Sequence, residues 1–143
     1  MTEVPHDRRA MTTAAPALRT LLRHRNRLLT GLAGLLWLVI VILSLLPGSE
    51  RPHTGYSGNL EHFIAYLGTA AVTAFAFPAA SLFRLALPFC LASGLFELAQ
   101  IAIPGRSPGV DNWMASSLGA LAGIIAVRTV ARPLLMRCLG RTP

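Results

Sequence analysis

Lysine is absent from this 143-residue chain, cysteine occurs twice, and six acids stand against thirteen arginines. Each shortage excludes something. Two cysteines, Cys90 in an apolar block and Cys138 near the end, cannot make a disulfide framework. Charged residues are 13% of the chain and hydrophobic residues 53%, gathered in long blocks rather than amphipathic patterns. That is a membrane protein's composition, and it excludes an ordinary soluble domain. A net charge of +7 raises nucleic acid as a partner. The placement of the arginines beside the apolar blocks argues against it and for an anionic membrane leaflet. Arginine without lysine fits a GC-rich bacterium. Nothing has His-Glu-x-x-His spacing, so a metal site from Glu61, His62, Glu97 and Asp111 lacks a motif. No cofactor is implied.

What is present is organised around apolar runs. Residues 1–27 form a basic tail, disordered in its first half, with Ala17–Arg27 suited to a surface helix. Leu28–Leu46 carries no charge and is long enough to cross a bilayer. The Leu-Leu-Pro-Gly-Ser that follows offers no small-x-small cleavage site, so the run reads as a retained span rather than a signal peptide. Pro47–Gly58 is turn-rich. The next apolar stretch breaks at Pro78-Ala-Ala-Ser81, with Arg84 just beyond, which predicts a helical hairpin. The expectation is an all-α polytopic membrane protein. Its four transmembrane helices, at about 28–46, 60–77, 82–103 and 112–130, are followed by a second basic tail at 131–143.

With both termini cytoplasmic, every arginine except Arg51 and Arg106 falls on the inner side. This is a strong positive-inside bias. His53, Glu61, His62, Arg106 and Asp111 then lie at the outer surface, and Glu97 and Gln100 in the outer third of the third span. Three spans carry polar stripes at helical spacing: His62, Tyr66, Thr69 and Thr73; Cys90, Ser93, Glu97 and Gln100; Asn112, Ser116, Gly119 and Gly123. Lipid cannot satisfy such groups, so the three faces should turn toward one another, leaving the first span as an outer packing member.

Several of these residues have plain structural readings. Thr69, Thr73, Gly119 and Gly123 suit helix packing, and the Gly119/Gly123 pair also suits association with another helix. Asn59 reads as the N-cap of the second span, and Asp111 or Asn112 as that of the fourth. Glu61 complements a helix dipole, and Tyr66 and Trp113 suit interfacial anchoring. Glu97 resists such a reading. A carboxylate roughly 9 Å inside its helix end needs a cation or donors, and the candidates are His62 and Arg106.

His-Phe-Ile-Ala-Tyr at 62–66, Glu-x-x-Gln at 97–100 with Arg106 following Pro-Gly, then an acid and a Gly-rich helix, resemble the VanZ-like family. That family is named for a protein associated with teicoplanin resistance, and the resemblance covers about residues 28–130. It implies a multi-span helical protein acting on the cell envelope. His62, Tyr66, Glu97, Gln100 and Arg106 match the family pattern directly. The family's Asp-Lys pair is replaced by Gly58 and Asn59. Its acid-then-Asn pair falls on Asn112 and Ser116, with Asp111 one residue early.

The leading expectation is a non-enzymatic protein of the bacterial cytoplasmic membrane with an outward-facing polar cup. The cup would bind a membrane-lipid headgroup, a cell-wall precursor or an amphiphilic glycopeptide-type antibiotic. Arg106 would clamp phosphate or carboxylate. His62, Tyr66, Glu97, Gln100, Asp111, Asn112 and Ser116 would line the cup. The alternative is a metal-independent intramembrane transferase or hydrolase using His62 and Glu97 as base and acid, although neither Cys90 nor Ser93 sits in a nucleophile motif. A third reading is a small subunit of an envelope or transport complex.

Overall fold

The computed structural model describes residues 8–52 and 54–138. The expected disorder of residues 1–7, the placement of His53 and the last part of the C-terminal tail lie outside them. All regular secondary structure among the described residues is helical. Helix α1 spans Arg8–Leu45 and is followed by a short 3₁₀ turn at Gly48–Glu50. Then come α2 (Gly58–Ala76), α3 (Leu82–Gln100), α4 (Val110–Ala126), a π turn at Val127–Ala131 and α5 (Arg132–Cys138). The expected surface helix and first span are one continuous element, and it begins at Arg8 rather than Ala17. The Ala-, Leu- and Arg-rich sequence ahead of Leu28 favours continuing the helix.

Three segments are long and apolar enough to cross a membrane: Arg23–Leu45, Leu82–Gln100 and Val110–Cys138. At about 1.5 Å per residue even the shortest matches a hydrocarbon core of about 30 Å. Helix α2 is as long as α3, 19 residues, but is not among them, its stretch falling short of a span's hydropathy. Asn59, Glu61, His62 and Tyr66 all lie in its first half.

The three polar stripes face inward. Tyr66, Thr69 and Thr73 on α2, Ser93, Glu97 and Gln100 on α3, and Ser116, Gly119 and Gly123 on α4 are all buried. Thr69 and Thr73 satisfy their hydroxyls on the carbonyls one turn back, Ala65 and Thr69, at 2.8 Å each. The packing order is not the one the hairpin suggests. Helices α2 and α3 touch sparingly, through Tyr66 edge-on to Phe89, and α4 packs against both. A Cβ at Gly119 would overlap the Phe63 carbonyl, and one at Gly123 the Leu67 carbonyl. Only glycine permits that approach of α4 to α2, and Ala70, Ala74 and Ala120 continue the seam. The glycine pair expected to serve helix association therefore meets its partner within the chain.

Helix α1 is peripheral. It buries Ala33 and Ile40, stacks Trp37 on Phe89 with ring centroids 4.4 Å apart, and leaves Leu32, Leu35, Leu38, Val39, Ile42 and Leu43 exposed. Exposed apolar side chains on this scale suit lipid contact. At the arginine-rich end, Arg128 donates to the Ala80 carbonyl and Arg132 to the Pro78 carbonyl at 3.1 Å, closing the α2–α3 turn. The π turn carrying Arg128 ends two residues before Pro133, whose ring needs room and whose nitrogen cannot donate.

Candidate functional site

At the opposite end, the loops after α1 and after α3 meet. The Gly48 amide donates to the Pro104 carbonyl at 3.0 Å, and a Cβ on Gly48 would overlap the Gly105 carbonyl. Gly105 itself has φ +72, a left-handed conformation that favours glycine. This contact forms one rim of an open polar cavity of about 760 Å³. The 46–57 loop and the start of α2 form the far wall, and the 105–112 segment forms the near one.

Glu97 does not line this cavity. Only 9% exposed, its Oε2 accepts from the Gly109 amide at 2.8 Å, with the Asn112 amide at a longer 3.5 Å. Gly109 is the N-cap residue of α4. Glu97 thus supplies an anion where a helix start presents unpaired N–H groups and the positive end of its dipole. The expected partners His62 and Arg106 make neither hydrogen bond nor ion pair with it among the described residues, where the one ion pair is Arg51–Glu61. His62 and Glu97 are therefore not in direct contact. The expected N-caps are corrected as well. Ser57 caps α2, its hydroxyl accepting from the Leu60 amide at 3.4 Å, and Gly109 occupies the cap position of α4. Asn59 donates instead to Asp111 Oδ2 at 2.9 Å, joining the start of α2 to the start of α4.

Gln100 and Arg106 converge on one acceptor that the sequence did not advertise, the Ser44 carbonyl near the end of α1. Gln100 Nε2 donates at 3.0 Å and Arg106 Nη2 at 3.3 Å. Carbonyls at a helix C-terminus lack intrahelical partners and carry its negative end, so a cation and an amide suit them. Arg106 has capacity left. Its Nη1 is buried without a partner among the described residues, and Arg106 lines the cavity. Burial pulls the Arg106 pKa below its ordinary value; Arg51 adds to that and Glu97 opposes it.

The remaining candidates divide. His62, Gln100, Arg106, Asp111 and Asn112 all line the cavity. Tyr66, 2% exposed, lies below it. Ser116, 1% exposed, places Oγ 3.4 Å from His62 Nδ1 but lines no cavity. Trp113 reaches across to α3, donating to the Cys90 carbonyl at 2.9 Å, with Gly94 beneath its indole. Sequence reasoning passed over Arg51 and Thr54. Both bind Glu61, the ion pair fixing the 51–54 loop over the start of α2. Arg51 was detectable as one of the two arginines that the charge bias puts on the outer side. Among the described residues no three of His, Cys, Asp and Glu stand close enough to share a metal ion.

A family model described as VanZ/LLP1 matches residues 25–132, most of the chain. The chain belongs to the VanZ/LLP1 family. No curated protein and no solved structure matches it. The matched stretch includes the apolar part of α1 and runs through the π turn, so the cavity and both loops that shape it lie wholly inside the VanZ/LLP1 region. Together with its three apolar helices, this makes the chain a VanZ-type membrane protein.

Proposed function

We propose that this protein is a non-enzymatic receptor of the bacterial cell envelope whose polar cup binds the anionic head of an amphiphile. The head would belong to a lipid, a cell-wall precursor or a glycopeptide antibiotic of the teicoplanin kind. The observation that carries this reading is the cup-facing Arg106, held by the Ser44 carbonyl and left with Nη1 unpartnered among the described residues. An unpaired buried guanidinium nitrogen costs free energy that a phosphate or carboxylate oxygen would recover through a charge-assisted, bidentate-capable contact. Helix α2 is the fourth crossing in this reading, its polar first half facing the cup. Both termini are cytoplasmic, because every arginine but Arg51 and Arg106 belongs to segments at the other end. The cup then faces the exterior.

The burial of Ser116 argues against the enzyme. Its hydroxyl and His62 have the elements of a nucleophile–base pair, but at 1% exposure and off the cavity wall the hydroxyl cannot meet a substrate head in the cup. The test is native mass spectrometry of detergent-purified protein. Wild type should retain an anionic amphiphile that Arg106→Gln loses while keeping its helical content. Equal retention in the variant would remove Arg106 from the site.

A further inference from the structure

The polar cup does not end at its floor. A narrower cavity of about 160 Å³ continues from it between α1 and α2. Arg51, Pro52, Thr54, Glu61, His62 and Arg106 line both spaces. Below this shared collar the chemistry changes. The narrow cavity is walled by Ile40 and Leu43 of α1 and by Ala65 and the ring of Tyr66 on α2. Leu43 and Ala65 are exposed on the outer faces of their helices, so the slot opens sideways, where the lipid-facing surface lies. Helices α2 and α4 are sealed by backbone contact at Gly119 and Gly123. Across α2 from that seam, side chains hold α1 away and leave the slot.

We infer that the slot between α1 and α2 is a tail site. The ligand of the cup is a phosphate-bearing, single-chain-accessible amphiphile that enters sideways from the bilayer, its head on Arg106 and the first part of its tail between Ile40, Leu43 and Ala65. This rests on the proposed cup and adds the substrate class and the route. The polar-to-apolar order of the two cavities matches the order of head and tail, and Arg106 stands at their junction. At about 0.8 kcal/mol for each methylene removed from water, a few buried tail carbons dominate the preference for a tailed ligand over its bare head. The Arg51–Glu61 pair, with Thr54, forms the collar through which the tail passes.

The test compares two probes on full-length protein in neutral alkyl-maltoside micelles: lysophosphatidylglycerol, and glycerophosphoglycerol, which is the same phosphodiester head without the tail. Wild type should bind the lysolipid at least a hundredfold more tightly. Ala65→Trp and Leu43→Trp fill the slot from opposite helices, and each should cut that preference at least tenfold. Two variants are used so that misfolding of one, seen as lost helical content, leaves the other to decide. An unchanged preference in both slot variants overturns the tail site. If Arg106→Gln still weakens lysolipid binding in that case, the cup stands without the slot. Glycerophosphoglycerol binding as tightly as the lysolipid shows a head-only site and also overturns the inference. Binding of neither probe to wild type refutes the phosphate head, and the tail site falls with it.

Discussion

The two ends of the bundle use arginine differently. At the end closed by the α2–α3 turn, Arg128 and Arg132 donate to the Ala80 and Pro78 carbonyls, so each guanidinium completes a turn of the chain. At the cup end, Arg51 is absorbed by Glu61, while Arg106 gives Nη2 to the Ser44 carbonyl, already served by Gln100, and keeps Nη1 unused. Each of Arg106, Arg128 and Arg132 gives one hydrogen bond to a carbonyl, but among the described residues Arg106 is the one with a further guanidinium nitrogen buried without a partner. In the proposed reading, this buried surplus donor, rather than the presence of charge, makes the cup the working end.

The largest expected effect breaks both ends together. Gly119→Leu would drive a side chain into the Phe63 backbone, part α4 from α2 and cost about 3 kcal/mol or more, read as loss of folded protein in micelles. Retention of wild-type stability would mean that the seam is not as close as described. Next is Gly48→Ala, which damages the cup rim alone. About 1–3 kcal/mol should be lost, with reduced amphiphile retention and an unaltered α2–α3 turn by hydrogen exchange. Glu97→Ala should cost a similar ~1–3 kcal/mol by orphaning the Gly109 amide, with exchange rising first at the start of α4. Increased exchange in α2 instead would point to a His62 partnership. The smallest effect sharpens the comparison most. Arg128→Ala should cost about 1 kcal/mol, whereas Arg106→Gln should cost less, since Gln100 keeps the Ser44 carbonyl bonded. The reverse order in equilibrium unfolding would make Arg106 a structural strut.

Much of this was legible in the sequence because lipid makes polarity directional. The spacing of Ser93, Glu97 and Gln100, and of Tyr66, Thr69 and Thr73, announced inward faces, and those faces are buried. The partners were less legible. Glu97 is satisfied by the Gly109 amide and Gln100 by the Ser44 carbonyl, and a backbone group leaves no side-chain signature to read. The hairpin connection suggested α2 against α3, but helix contact follows how closely backbones can approach, and the glycines are on α4. The polar residues that keep α2 out of the apolar class include Asn59, Glu61 and His62, all on the cavity wall. What weakens its membrane signal is the wall of the cup.

The most direct test of the cup reads the arginines individually. In full-length protein with ¹⁵N-labelled arginine in neutral micelles, lysophosphatidylglycerol is titrated while the guanidinium Nε–H resonances are followed. The Arg106 resonance should move first and saturate, with Arg128 and Arg132, at the other end of the bundle, unmoved. Shifts at Arg128 and Arg132 with a stationary Arg106 would place anion binding at the other end and contradict the account.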